Sequence, residues 1–225
     1  MFVRQIVLDT ETTGLSPKND HRITEIGCLE LIDRKLTGRT FHTYLNPERD
    51  LDIRAAEITG LTWAFLKDKP KFAAIAKEFV DFIDGAQLVI HNAPFDLGFL
   101  DHELSLLNHP FGSVSTNCHV IDTLALAKQL HPGQRNNLDA LCKRYNIDNS
   151  HRNYHGALLD AEILTHVYLK MTSGQTSFEL NDTQYSNYGS VVSFNQNIVD
   201  DLPIIFANDT ENAEHNKIIE ILTNG

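Results

Sequence analysis

Five side chains in three short stretches have the types and spacing to hold a hard cation and move a proton. Asp9 and Glu11 sit in V-L-D-T-E-T-T-G, Asp96 ends H-N-A-P-F-D (residues 91–96), and His155 and Asp160 bracket H-G-A-L-L-D (residues 155–160). Residues two apart on a strand point to one side, so Asp9 and Glu11 can share a divalent cation at a strand end. Alone, such a pair more often just faces water. Asp96, in the first turn of a helix, would be stabilised by the helix dipole whether or not it bound metal, and Asn92 could either cap that helix or touch a ligand. Asp160 is harder to explain without a partner. Its neighbours Leu158, Leu159, Ala161, Ile163 and Leu164 surround it with apolar side chains, where an unpaired ionised carboxylate is costly; metal is a good candidate for that partner. His155 lies five residues earlier, about 140° around a helix of 3.6 residues per turn. The two can face one site only if His155 is on the loop before the helix.

Oxygen-rich donors of this kind suit Mg²⁺ or Mn²⁺, and no Cys/His set offers zinc a home. Two such ions can activate water, orient a phosphodiester and stabilise the leaving 3′ oxygen. A histidine with an ordinary pKa of about 6.5 is suited to take the proton. Hydrolytic phosphoryl transfer is the reaction that fits. Competing chemistries lack their signatures, since GxxxxGK[ST], GxSxG, HExxH and GxG are all absent from the chain.

The elements that must position these groups can be read from periodicity. QIVLD is a buried strand, and ITEIGCLELID and LTGRTFHTYLN form a hairpin turning near Asp33-Arg34-Lys35. Helical segments follow over 54–58 and 63–66. Phe72, Ile75, Phe79, Phe82 and Ile83 repeat at three- and four-residue spacing, and that helix stops at Gly85. QLVIHN is a strand leading into a helix with Pro94 in its first turn; CHVIDT is a strand, and helical patterns cover 124–130, 138–145 and 158–171. Strands first, then alternating helices and strands, predict an α/β domain with a mixed sheet.

The 225 residues carry 19 Lys+Arg against 30 Asp+Glu, a net charge of -11, with 42% hydrophobic residues and three cysteines. These figures describe an ordinary soluble chain. No apolar run approaches the roughly 20 residues of a membrane span, and Arg4 and Asp9 interrupt the start too early for a secretory signal, so a cytoplasmic protein without membrane association is expected. Cys28, Cys118 and Cys142 are far apart and read as unpaired thiols. The acidity looks wrong for a nucleic-acid binder, until it is located. Residues 175–225 hold Lys217 against eight acidic residues, which places most of the net charge in the tail. Composition shifts at the same point: after Gly174 the chain is rich in Asn, Gln, Ser and Thr without apolar periodicity, as a flexible linker is. Beyond it, DLPIIFA and a short amphipathic pattern through Ile218, Ile219, Ile221 and Leu222 suggest a segment that docks on something. The expected organisation is a domain over 1–174, a linker over 175–199 and a docking tail over 200–225.

The groups DTE, HNAPFD and HGALLD resemble, in order and context, the three motifs of the DEDDh branch of the DnaQ-like 3′-to-5′ exonucleases. The stretches RQIVLDTETTGL, NNLDALCKRYNIDNSHR and HGALLDAEILTHVYLKMTSGQTS are similar to the epsilon-type proofreading exonucleases of bacterial DNA polymerase III over about residues 3–180. The resemblance implies a ribonuclease-H-like mixed sheet flanked by helices, with a flexible C-terminal tail. It implies a metal-dependent 3′-to-5′ DNA exonuclease with Asp9, Glu11, Asp96 and Asp160 as catalytic ligands of two Mg²⁺ or Mn²⁺ and His155 as general base. Those acids would also meet the substrate, with Thr12, Thr13 and Gly14 around the terminal nucleotide and Asn92 and Phe95 lining its pocket. Two positions depart from the pattern: Thr59 stands where a histidine is common, and Arg54 where an acid is common. Thr59 could still donate a hydrogen bond to substrate. The resemblance further implies a DNA 3′ end as substrate, the polymerase catalytic (alpha) subunit bound through residues 200–225, and a sliding clamp (beta) bound through Q-T-S-F-E-L, with Gln175, Phe178 and Leu180 as anchors. A small theta-like subunit would be a further partner. Residues 181–197 would span about 20–25 Å as a random coil. An RNA-trimming exonuclease of the same superfamily and a noncatalytic adaptor are the rival readings; the acidic tail speaks against the first and the complete set of five groups against the second.

Overall fold

Among the described residues, five strands, β1 (Arg4–Thr12), β2 (Ile23–Ile32), β3 (Lys35–Tyr44), β4 (Gln87–Ile90) and β5 (His119–Asp122), form one sheet in the order β3-β2-β1-β4-β5. The computed structural model describes residues 3–152 and 154–173. The expected linker and tail therefore lie outside the described residues. β1 pairs antiparallel with β2 and parallel with β4, so it is central and covered on both faces. That burial explains its near-continuous apolar run, the pattern of a strand with no solvent face. The sheet is mixed, as expected from the element pattern.

Among the described residues, eight helices accompany the strands: α1 (Ile53–Thr59), α2 (Trp63–Leu66), α3 (Phe72–Ile83), α4 (Ala93–Leu106), α5 (Val114–Asn117), α6 (Thr123–Leu130), α7 (Leu138–Tyr145) and α8 (Ala157–Met171). The four-residue α5 and a 3-10 turn at Pro17–Asn19 are too short to carry a periodicity, and the sequence pattern missed both. Ile6 and Leu8 point to one side of the sheet, into a core built with Phe72, Phe79 and Ile83 of α3 and Phe99, Leu100 and Leu104 of α4. Val7 points to the other side, where Leu31 and Val89 meet Ala161, Leu164 and Tyr168 of α8. The outer side of α8, through Ile163, Val167 and Met171, packs on α6 and α7. Fully burying each of these larger side chains contributes about 1.5–3 kcal/mol.

Two contacts pin α8 to the sheet. At its start, a Cβ added to Gly27 of β2 would lie 2.3 Å from the Ala157 carbonyl carbon and from the Leu158 nitrogen; only a glycine lets the helix backbone come this close. At its end, the Asp33-Arg34 turn takes positive φ at both residues (48° and 65°), the geometry of a tight two-residue hairpin. This aims the Arg34 guanidinium at the Leu169 carbonyl (2.9 Å) and the Thr172 hydroxyl (2.7 Å), with the Tyr168 ring 5.8 Å away. Gly27 pairs directly with Asp9 across the β1–β2 ladder, so the close approach fixes the helix beside the carboxylates. Gly27→Ala is expected to cost about 1–3 kcal/mol of stability, the range for overpacking, as a lowered urea midpoint.

Candidate active site

The alternation of β1 distributes the D-T-E segment over two faces. Asp9 and Glu11 follow Val7 on the α8 side. Thr10 follows Ile6 and Leu8 on the α4 side, where its backbone N–H (3.0 Å) and hydroxyl (2.7 Å) both donate to Asp96 Oδ1. Asp96 is in the first turn of α4 and nearly fully buried. The strand thus holds that carboxylate by the residue between the two acids.

On the other side, α8 begins at Ala157, and His155 lies on the preceding loop with its N–H bonded to the Ile58 carbonyl at 3.0 Å. Asp160 is buried, one helical turn past the Gly156 cap. His155 Nδ1 is 3.4 Å from Asp160 Oδ2. Ligand atoms of Glu11, His155 and Asp160 all lie within 4.8 Å of one another. All four carboxylates and His155 line one cavity of about 250 Å³, together with His91, Asn137, Asp139 and Arg152.

Crowding shows in the acidities. Burial, then the neighbouring charges of Asp96, Glu11 and Asp160, raises Asp9 well above the usual carboxylate range. Burial and the charges of Asp160 and Glu25 push Glu11 up to about 8, and burial pushes Asp96 up to about 7 despite its bonds from Thr10. Burial would also raise Asp160, but its contact with His155 and the hydrogen bonds and charge of Arg152 hold it below its ordinary value. The sequence reading rightly required a partner for Asp160; in the structure that partner is Arg152, whose fork donates to both carboxylate oxygens at 2.5 Å. Among the described residues, Arg152 is also the cation that counters Asp9 and Glu11. Oxygen donors in excess of positive charge are what a divalent cation neutralises, so the donor set fits such a cation.

A second cavity of about 220 Å³ shares Thr10, Glu11 and Phe95 with the first and is otherwise lined by residues that include Gly14, Leu15, Arg54, Ile58 and Thr59. Its apolar walls adjoin the acids, an arrangement suited to a base beside its phosphate. Several expected contacts fall elsewhere. Thr13 is fully buried: its hydroxyl pairs with His21 Nδ1 (3.0 Å) and accepts from Arg22 N–H, its carbonyl accepts from Asp52 N–H and its N–H donates to the Arg22 carbonyl. It lines neither cavity and serves to lock the loop. The Thr12 hydroxyl is likewise spent, donating to the Gly14 carbonyl at 2.7 Å. Gly14 has the His21 ring against it, 2.3 Å from where a Cβ would lie. The Thr59 hydroxyl, expected to remain available as a donor, is used inside the chain: it donates to the Ala55 carbonyl (2.8 Å) and accepts from Leu61 N–H (3.2 Å). Asn92 precedes α4 in the left-handed region (φ 68°) and its side chain makes no capping bond; its N–H donates to Asp122 Oδ1 at 3.1 Å. It lines neither cavity. Gln175, Phe178 and Leu180 lie outside the described residues. Sequence reasoning missed Arg152, Thr10, Gly27 and His21. Thr10 had a signal, since strand alternation aims it away from its acidic neighbours.

The raised acids set a pH dependence for the protein without metal. Unfolded carboxyls titrate near pH 4, so between there and about pH 8 the folded state holds more protons at Glu11 and Asp96 and loses stability as pH rises. His91 and His131, both lowered mainly by burial, act oppositely but have finished titrating above about pH 7. In EDTA, the urea midpoint is expected to fall from pH 7 to 8.5, and Glu11→Gln is expected to flatten that slope.

The chain matches the RNase_T family, described as exonuclease, over residues 6–168. It is 48% identical over 228 residues to DNA polymerase III subunit epsilon of Escherichia coli strain K12, covering 98% of this chain and 94% of that protein. It is 52% identical over 181 residues to the Rickettsia felis subunit of the same name, covering 80% and 79%. Among solved structures it is similar to exonuclease X in complex with 5′-overhanging duplex DNA, with TM-score 0.60 and 25% identity over 76% of this chain and 92% of that one. Escherichia coli exonuclease I in complex with a dA16 oligonucleotide shares the fold, with TM-score 0.65 and 19% identity over 77% and 41%. Four carboxylates and a loop histidine gathered on an exonuclease fold, with identity running almost the whole length of the polymerase subunits, place this chain in the DNA polymerase III epsilon family of exonucleases.

Proposed function

We infer that this chain removes mispaired 3′-terminal nucleotides from DNA by metal-dependent hydrolysis, as the proofreading exonuclease of a replicative polymerase. The observation that carries the reading is the single cleft in which Asp9, Glu11, Asp96, Asp160 and His155 converge. Asp9, Glu11, Asp96 and Asp160 would hold the divalent cation, with two Mg²⁺ or Mn²⁺ as the expected complement. When bound, such ions make water a better nucleophile and stabilise charge on the phosphate and leaving oxygens.

The protein's own groups do the rest. The terminal base enters the pocket walled by Leu15, Ile58 and Phe95, which sets the scissile phosphate over Glu11 and Thr10 where the two cavities meet. His155 takes the proton of the attacking water. Its side chain is 45% exposed, so water reaches it, while its backbone bond to Ile58 holds the loop. A water oxygen–phosphorus bond forms, the bond from phosphorus to the 3′ oxygen breaks, and a nucleoside monophosphate leaves. Pairing status is read by reach: a frayed end extends into the cleft, and a paired one stays on its duplex.

The partners follow from the same reading. Residues 200–225 dock on the polymerase catalytic subunit, and Gln175, Phe178 and Leu180 dock in a groove of the sliding clamp, with a theta-like subunit as a third contact. The supports are the apolar spacing of these segments and the near full-length identity to polymerase subunits. Replication places the protein in the cytoplasm; among the described residues no helix is long and apolar enough to cross a membrane.

A 3′-mismatched primer with Mg²⁺ is expected to be shortened from its 3′ end, with His155→Ala slowed about 10²–10⁴-fold, the range for losing a general base. Full activity in Asp9→Ala or Asp160→Ala would overturn the reading. Arg54 lines the nucleotide pocket, is exposed, and has no ion-pair partner among the described residues. It is assigned to a substrate phosphate, supplying a contact that Thr59 does not. Arg54→Ala is expected to raise KM and to reduce the salt slope of log affinity for single-stranded ends by about 0.7, one phosphate's share.

A further inference from the structure

Arg152 spreads its guanidinium over three partners. Nε and Nη2 donate to the two oxygens of Asp160 at 2.5 Å, Nη1 donates to Asp139 Oδ1 at 2.8 Å, and Nη2 also donates to His155 Nδ1 at 2.8 Å. Only 7% of the side chain is exposed. A carboxylate assigned above to a divalent cation therefore already has both oxygens engaged by a cation of the protein. The fork takes one lone pair of each oxygen, and a divalent ion arriving at either oxygen also meets the charge of the guanidinium beside it. Arginine cannot relieve that repulsion by losing its proton; opening the fork relieves it.

The structure provides somewhere for it to stay. Asp139 belongs to the first turn of α7, not to α8, and its Oδ1 is also bonded by Asn149 Nδ2 at 3.0 Å. Nη1 can keep that contact while the Asp160 side of the fork opens. We propose that Arg152 is a positioning residue acting as the resident counter-ion of the cleft: it clamps Asp160 and His155 when no divalent cation is bound, gives up Asp160 on loading, and remains tethered by Asp139. This rests on the reading of the cleft as a cation site.

The clamp also governs the histidine. A guanidinium only donates, so His155 Nδ1 must accept, and the neutral ring then carries its hydrogen on Nε2. In that tautomer Nε2 cannot take a proton from water. Opening the fork releases Nδ1 to carry the hydrogen and donate it to a carboxylate such as Asp160. A cleft without its cation is thus held together but idle, and loading readies the base through the same movement.

The role has a sign that ordinary scaffolding lacks. If Arg152 merely supported the site, removing it would weaken cation binding; if it competes, removing it tightens binding. Calorimetric titration of Mn²⁺ into the full chain, with melting temperature measured alongside, separates the two. Arg152→Gln is expected to bind Mn²⁺ about tenfold more tightly, the scale of losing one charge-assisted hydrogen-bonded competitor. It is expected to melt lower without metal and to gain more from Mn²⁺ than the parent. Arg152→Lys, which keeps the charge but loses the fork, should fall between and decides the matter if the glutamine variant does not fold. Equal or weaker Mn²⁺ binding in both variants overturns the proposal. Asp9→Asn separates the two levels of failure. Binding lost in Asp9→Asn but unchanged in the Arg152 variants leaves the cation site standing and removes the clamp; no Mn²⁺ binding by any of these proteins removes the cation site and the clamp with it.

Discussion

Four carboxylates in one cleft repel each other, and the rest of the domain has to force them together. Each arrives from an element that could not withdraw without opening a core. Asp9 and Glu11 sit on the central strand, whose alternate side chains are buried under α4 and α8. Asp96 belongs to the first turn of a helix whose Phe99, Leu100 and Leu104 lie in the larger core. Asp160 rides on α8, held at one end by backbone contact at Gly27 and at the other by Arg34. Each apolar cluster contributes far more than one strained carboxylate costs. The raised acidities of Asp9, Glu11 and Asp96 record the repulsion that this packing overcomes.

The arrangement also explains the compactness of the first motif. A strand delivers side chains alternately to two faces, so three consecutive residues reach two layers of the fold. The outer pair of D-T-E faces α8, and the threonine between them ties Asp96 down on the opposite face. The loop that follows is secured twice over. Arg22 makes a two-pronged pair with buried Glu103 of α4 at 2.7 and 2.6 Å, and His21 wedges between Thr13 and Gly14. Residues that flank the second cavity in sequence are therefore partly scaffolding.

Regular elements and the five cleft residues were legible because they depend on local rules: period-two and period-3.6 patterns, a glycine stop after α3, and an acid stranded among leucines. What escaped depends on tertiary placement. Arg152 lies in the polar stretch D-N-S-H-R, where nothing local says that a loop folds it over Asp160, eight residues on. The need for a counter-charge was readable, but its source was not, because a metal and an arginine satisfy the same electrostatic demand. Hydroxyls misled in a similar way. Thr12, Thr13 and Thr59 all have the chemistry to touch a nucleotide, and each spends its hydroxyl on the chain instead, since a buried hydroxyl without a partner costs more than an exposed one gains.

Charge ties cation and substrate together. Most of the net charge of -11 belongs to residues 175–225, so the domain itself is only mildly acidic, yet that acidity is concentrated in the cleft proposed to take the scissile phosphate. In the described residues, the positive charge deepest in the cleft is Arg152, already engaged by Asp160 and Asp139. DNA entering a cation-free cleft would bring phosphate charge against carboxylates, and a cation arriving alone would compete with the charge of the Arg152 fork. With both present, the cation screens the phosphate from the acids and the phosphate helps to retain the cation. Each ligand then strengthens the other by the same factor, as linkage requires. Neither needs to bind tightly alone, and a tether to the polymerase can supply the effective concentration that intrinsic affinity does not.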